Sequence, residues 1–174
     1  MLVPIEFEDT QRKVGLIHMD TLLEQVLASP ELPLYLEKIQ ETVAKERQLR
    51  RRLYEEMTED EDWEFINGEI VLHSPSSAIH ISVRKRLCQL LDNDVCVHEL
   101  GAVYDERTMI SLRRNDYEPD ICFFGPEKAR TIQPTTLRFA APDFIAEILS
   151  PSTEKHDRGV KFEDYAAHGA LPSR

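Results

Sequence analysis

Two acids sit where acids are costly. In EPDICFFG, Asp120 follows Pro119 and leads directly into the apolar run Ile121, Cys122, Phe123, Phe124. In DFIAEILSPST, Glu147 is flanked by Ile145 and Ala146 on one side and Ile148 and Leu149 on the other. An ionised carboxylate buried without a partner costs several kcal/mol even after relaxation. Each acid alone has an ordinary reading, Asp120 as a turn acid and Glu147 as half of a structural ion pair. Two such acids in two apolar strands point instead to a shared cation. If the strands are neighbours, alternation of side chains lets both carboxylates face the same side. They then repel unless a divalent ion neutralises both, and oxygen ligands of this hard type suit Mg²⁺ or Mn²⁺. Such an ion binds a phosphate oxygen and acidifies an attacking water. The chemistry also calls for a cationic side chain to hold water or offset charge on the phosphate.

Other groups offer themselves nearby. His80 and Arg84, one turn apart in an expected helix, share a face and are candidates for substrate contact. Glu69, after the Asn67-Gly68 pair, is a candidate third carboxylate, with a solvent-facing strand position as its alternative. Ser150, Ser152 and Thr153 read as a turn and helix cap. No Ser/His/Asp order, glycine-rich phosphate loop or zinc-like histidine spacing competes. Cys88, Cys96 and Cys122 lack C-x-x-C spacing and read as reduced thiols in the core.

The elements that must position these groups follow from pattern. Residues 31–57 are glycine-free and rich in helix formers, with Leu36, Ile39, Val43, Leu53 and Met57 at helical spacing. Its RQLRRR cluster is a candidate phosphate contact, and the helix is a candidate dimer contact. WEFI and EIVLH, joined by Asn67-Gly68, read as a hairpin with a type I′ turn. A helix capped by Ser76 or Ser77 runs to about Leu91, followed by strands over VCVHEL, VYDERTMISL, PDICFF and FIAEIL, and a last helix from about Thr153 to His168. The order implies a mixed α/β domain around one central sheet. PIEF reads as a short strand and DTLLEQVLASP as a short helix.

The 174 residues suffice for one core plus an arm. A hydrophobic content of 41% and a charged content of 30% fit a soluble globular protein without a membrane span. MLVPIEFEDTQRK lacks the order of a secretory signal, which gives a cytoplasmic expectation. A formal charge of −11 argues against wrapping nucleic acid over the whole surface, so any such site is local and assisted by metal charge.

EPDICFF followed by APDFIAEILSPSTEKHDRGVKFEDYAAHG, with WEFINGEIVLHSPSSAIH ahead of it, resembles the Uma-two family, a restriction-endonuclease-like domain within the PD-(D/E)xK nuclease superfamily. The resemblance covers roughly Trp63 to Gly169 and implies a restriction-endonuclease-like core, metal-dependent phosphodiester hydrolysis with DNA as substrate, and Asp120 and Glu147 as metal ligands. Leu149 stands where the superfamily carries its strand lysine, and Lys161 matches the position of the Uma-two lysine. Asp157, Lys161 and Tyr165 then fall on one face of the last helix, with Lys155 as the competing ammonium. Exchange of Lys161 for Met is expected to remove activity without affecting melting.

The expected division is an N-terminal helical arm and linker over residues 1–60 and the restriction-endonuclease-like domain over 61–174. The family continues past the AAHG equivalent with a further strand, so a chain ending in ALPSR is expected to lack it and expose a sheet edge. The alternative to a Mg²⁺-dependent endonuclease is a catalytically silent nucleic-acid-binding or protein-interaction domain on the same fold.

Overall fold

The computed structural model describes residues 21–56, 62–73, 75–151 and 153–172. The expectations for PIEF, for the acidic linker over 57–61 and for Ser152 lie outside the described residues. The chain divides into two compact units with their boundary at Arg52 and Leu53. In the first unit, residues 21–28 are helical, and helix α1 (Leu32–Glu56) begins there and carries no buried residue. Among the described residues no helix is long and apolar enough to cross a membrane.

The second unit begins with the hairpin. Strands β1 (Trp63–Ile66) and β2 (Glu69–Leu72) pair antiparallel, Trp63 opposite Leu72 and Ile66 opposite Glu69. Asn67 and Gly68, at φ 52° and 87°, supply the two positive φ angles that a type I′ turn requires. Helix α2 (Ala78–Val97) follows, with the Ser77 hydroxyl accepting from the His80 amide at 3.3 Å. The helix continues through Val95-Cys96-Val97, where the apolar run had suggested a strand. Val95 is buried against the core side and holds the last turns in place, so packing overrides propensity.

Strands β3 (Ala102–Asp105) and β4 (Met109–Ser111) are joined by a tight turn, then come β5 (Asp116–Tyr117) and β6 (Ile121–Phe124). Gly101 enters β3 at φ +136°, where an added Cβ would meet the Phe124 carbonyl oxygen at 2.0 Å. The segment after β6 contains a short helix α3 (Pro126–Ala129) and strand β7 (Arg138–Phe139). Strand β8 (Phe144–Ala146) leads to helix α4 (Glu154–His156), a wide turn over Asp157–Lys161, helix α5 (Phe162–Ala167) and strand β9 (Leu171–Pro172).

The single expected sheet is two: one in the order β2-β1-β5-β4-β7 and one in the order β3-β6-β8-β9. The chain passes between them at Glu118-Pro119-Asp120, where buried Pro119 has no N–H to extend a ladder. Ile66, Ile110, Leu112 and Tyr117 from one sheet meet Cys122, Phe124 and Ile145 from the other in a common core, with Tyr165 from α5. Along the edge of β8 that was expected to be exposed for want of a family strand after Gly169, two residues, Leu171 and Pro172, pair parallel with Phe144 and Ile145. Of the three free cysteines Cys122 is buried and Cys96 is exposed on α2, which corrects its placement in the core. Burial pushes the Cys122 thiol up to about 12 and keeps it inert.

Candidate active site

Asp120 and Glu147 are brought together by the ladder. Strands β6 and β8 run antiparallel with Ile121 opposite Ala146, so the next residues outward are Asp120 and Glu147, side by side on one face. Each strand secures the other's acid: the Asp120 amide donates to Glu147 Oε2 at 3.2 Å, and the Ile148 amide donates to Asp120 Oδ2 at 2.8 Å.

The other oxygen of Asp120 faces α2. The Ser77 cap starts the helix so that His80 points back, with Nε2 2.7 Å from Asp120 Oδ1. One turn on, Arg84 is buried with Nη1 3.9 Å from the same oxygen and Nη2 2.8 Å from Glu106 Oε1. Both α2 candidates therefore reach the site.

Lys161 is buried to 5% side-chain exposure, and its Nζ lies 2.8 Å from Glu64 Oε1, 3.3 Å from Asp157 Oδ1 and 3.5 Å from Glu147 Oε1. Burial alone would lower its pKa, but Glu147, Glu64 and Asp157 outweigh that and push it well above the ordinary lysine value. Lys155 is exposed. The expected continuous helix is interrupted, since Gly159 leaves helical geometry at φ −105° and ψ −112°. Even so, Asp157 and Lys161 pair, and the Tyr165 hydroxyl donates to Glu147 Oε1 at 2.9 Å. With three acids around one buried ammonium, the expectation that removing Lys161 leaves melting unchanged is revised to a large loss.

The third acid of the cluster is Glu64. Glu69, on edge strand β2, is exposed and does not line the cavity. All of β1 is buried, and Glu64 Oε1 also accepts from the Glu118 amide at 2.9 Å. Burial raises the Glu64 carboxyl, but the neighbouring His73 and Lys161 overcome this and hold it below the ordinary value. His73 Nε2 stands 3.5 Å from Glu64 Oε2 in a geometry that makes no hydrogen bond. A sequence signal for Glu64 existed, because a charged residue inside WEFI is the same anomaly that singles out Asp120 and Glu147.

Glu64, His80, Asp120, Glu147, Asp157 and Lys161 line a cavity of about 600 Å³, together with Ser76, Ser77, Ser150 and His156. Ser150 serves the turn before α4, its hydroxyl accepting from the Thr153 amide at 3.3 Å. Within the cavity Glu147 is pushed up to about 7, first by burial, with Glu64, Asp157 and Asp120 adding repulsion that Lys161 only partly offsets. Glu118 is likewise pushed up to about 7 by burial and by Asp62. Among the described residues no three His, Cys, Asp or Glu side chains are grouped as a ready metal cage.

This geometry has relatives. An uncharacterized Synechocystis protein, slr1290, is 32% identical over 115 residues, a match covering 64% of this chain and 57% of that protein. The chain thus spans little more than half the length of that relative. A crystal structure from Anabaena variabilis, described as "a putative nuclease belonging to DUF820", superposes with a TM-score of 0.60 at 18% identity, covering 68% of this chain and 67% of the other. That likeness gives the fold, mixed α/β with restriction-endonuclease-like topology. Residues 48–171, which hold the hairpin, the paired strand ends and Lys161, match the family model described as "Uma2: Putative restriction endonuclease", and the chain belongs to the Uma2 family.

Proposed function

We propose that the cavity is the active site of a divalent-cation-dependent endonuclease that hydrolyses DNA phosphodiester bonds, with Asp120 and Glu147 as metal ligands and Lys161 as the catalytic cation. The observation that carries this reading is the surplus of negative charge: Glu64, Glu147 and Asp157 share one ammonium, with Asp120 beside them. The carboxylate oxygens fit Mg²⁺ or Mn²⁺, and such ions commonly take one or two carboxylates with water and substrate phosphate completing the shell. A full cage of protein donors is therefore not required. Asp120 and Glu147 would hold the ion, which would supply Lewis-acid stabilisation of the phosphoryl oxygens and a water acidified towards neutrality.

The chain's own residues have separable tasks. Lys161, held strongly protonated, does not serve as a base; its fixed positive charge offsets negative charge gathering on the phosphate. Glu64 and Asp157 hold the ammonium in place, and Tyr165 fixes one oxygen of Glu147. His80 and Arg84 orient Asp120 from α2.

The rival reading, a catalytically silent binding domain, draws support from one feature: both oxygens of Asp120 are already engaged, by His80 and by the Ile148 amide. Cleavage of plasmid and linear DNA in Mg²⁺ or Mn²⁺, together with calorimetric titration of Mn²⁺, separates the two. The nuclease reading expects metal binding and cleavage, each lost in Asp120→Ala and Glu147→Ala. Undiminished Mn²⁺ binding in both variants, or no cleavage of any DNA by the intact chain, overturns it.

A further inference from the structure

A second cavity, of about 370 Å³, adjoins the first and shares Glu118, Asp120 and His73 with it as a common wall. What it adds is guanidinium. Arg84, whose side chain is 10% exposed, pairs with Glu106, which is 62% exposed. Arg107, from the turn between β3 and β4, pairs through Nε with Asp62 Oδ1 at 3.0 Å, and both partners are about half exposed. The turn that presents Arg107 is strained: Glu106 and Arg107 stand at φ 31° and 59°, two successive non-glycine residues in the left-handed region. Such conformations cost on the order of 1 kcal/mol each and concentrate at functional sites. The Arg107–Asp62 pair is half exposed on both sides, and pairs of this kind contribute only about 0–1 kcal/mol; buried Arg84 meets in Glu106 a carboxylate that is itself exposed. A stronger anion can therefore displace them cheaply. A guanidinium matches phosphate oxygens with two parallel N–H donors, which a monodentate surface carboxylate does not exploit.

We propose that this second cavity is a phosphate subsite, in which Arg84 and Arg107 hold the phosphodiester beside the one to be cut, and that Glu106 and Asp62 occupy its place in the free protein. The subsite rests on the nuclease reading for its ligand, a nucleic-acid strand long enough to lie in both cavities. Arg107 would be a specificity and affinity residue outside the reacting centre.

The test is binding of a labelled oligonucleotide to the full chain by anisotropy with Ca²⁺ in place of Mg²⁺ across a salt series, with cleavage in Mg²⁺ measured separately. Each phosphate contact contributes about 0.7–0.9 to the slope of log affinity against log salt. Arg107→Gln is expected to weaken binding and flatten that slope by about one contact, Arg107→Lys to retain most of it, and Asp62→Asn to tighten binding by removing a carboxylate that competes with phosphate for Arg107. An unchanged slope in Arg107→Gln, or an Asp62→Asn variant that weakens binding as a lost structural pair would, overturns the subsite. If the intact chain still cleaves DNA in that case, the nuclease reading stands without the subsite. Binding with the expected slope change but no cleavage keeps the subsite and removes hydrolysis. A chain that neither binds nor cleaves removes both.

Discussion

Glu64, Glu147 and Asp157 gather around one ammonium at the cavity, whereas Asp164 and Asp116, in the same unit, are served by amide and hydroxyl donors. Asp164 Oδ2 accepts from Asn115 Nδ2 at 2.7 Å and from the Tyr117 hydroxyl at 2.9 Å, with His168 Nδ1 3.1 Å from its other oxygen. Tyr54 donates to both oxygens of fully buried Asp116 at 2.8 and 2.7 Å. These acids tie the elements of the core together, as buried polar groups do when their partners are supplied. At the cavity the arithmetic differs: acids outnumber the cation, and Glu147 is left poised near neutral pH. The contrast separates carboxylates matched by neutral donors from carboxylates that crowd around a single cation.

The comparison breaks most visibly at Lys161. Lys161→Met leaves Glu64 and Asp157 buried without their cation, and breaking a buried pair in this way costs about 3–5 kcal/mol. Denaturant unfolding is expected to show that loss; a variant as stable as the parent would mean that the acids find other partners. Stability against pH sharpens the contrast next. In metal-free buffer the folded value of Glu147, about 7, exceeds its ordinary 4.5, so the folded chain holds this proton more tightly than the unfolded one. Its contribution is therefore full below about pH 4.5 and declines as pH rises through 7, by on the order of 1–3 kcal/mol. Glu147→Gln is expected to flatten that part of the profile, and an unchanged profile would locate the titration elsewhere. The smallest effect belongs to the other network. Asp164→Asn keeps an acceptor for Asn115 and Tyr117 and is expected to cost about 1 kcal/mol, with Mn²⁺ affinity by calorimetry the same as in the parent chain. A loss of metal affinity there would erase the distinction between the two groups.

Much of the site was legible because it violates the rule that apolar strands exclude charge. Asp120 and Glu147 stood out against their neighbours, and antiparallel pairing of their strands did the rest. Lys161 came from the family resemblance, with its helical face shared by Asp157 and Tyr165 as support, although Gly159 breaks the helix on which that face was argued. Glu64 was passed over for Glu69 although it stands inside the apolar WEFI; the pattern marks the acid, and only tertiary packing shows that β1 is interior and β2 an edge. The same limit applies to Val95-Cys96-Val97, whose local preference for strand yields to the packing of Val95. The second cavity was illegible, since Asp62, Arg84 and Arg107 meet only through the turn after β3.

The reciprocal bonds between Asp120 and Glu147 also bear on which changes of length the protein can absorb. The connection from Gly125 to Asp143 joins β6 to β8, and extra residues in its exposed stretch over 133–135, between α3 and β7, enlarge a surface segment at little entropic cost. One residue inserted between Asp120 and Phe124 does something else. If the rest of β6 keeps its register, Asp120 turns to the opposite face of the sheet, and Ile148 and His80 lose it together. Length variation among descendants of this chain should therefore pool in the connection and stop at the strand ends, even where the intervening side chains are free to drift.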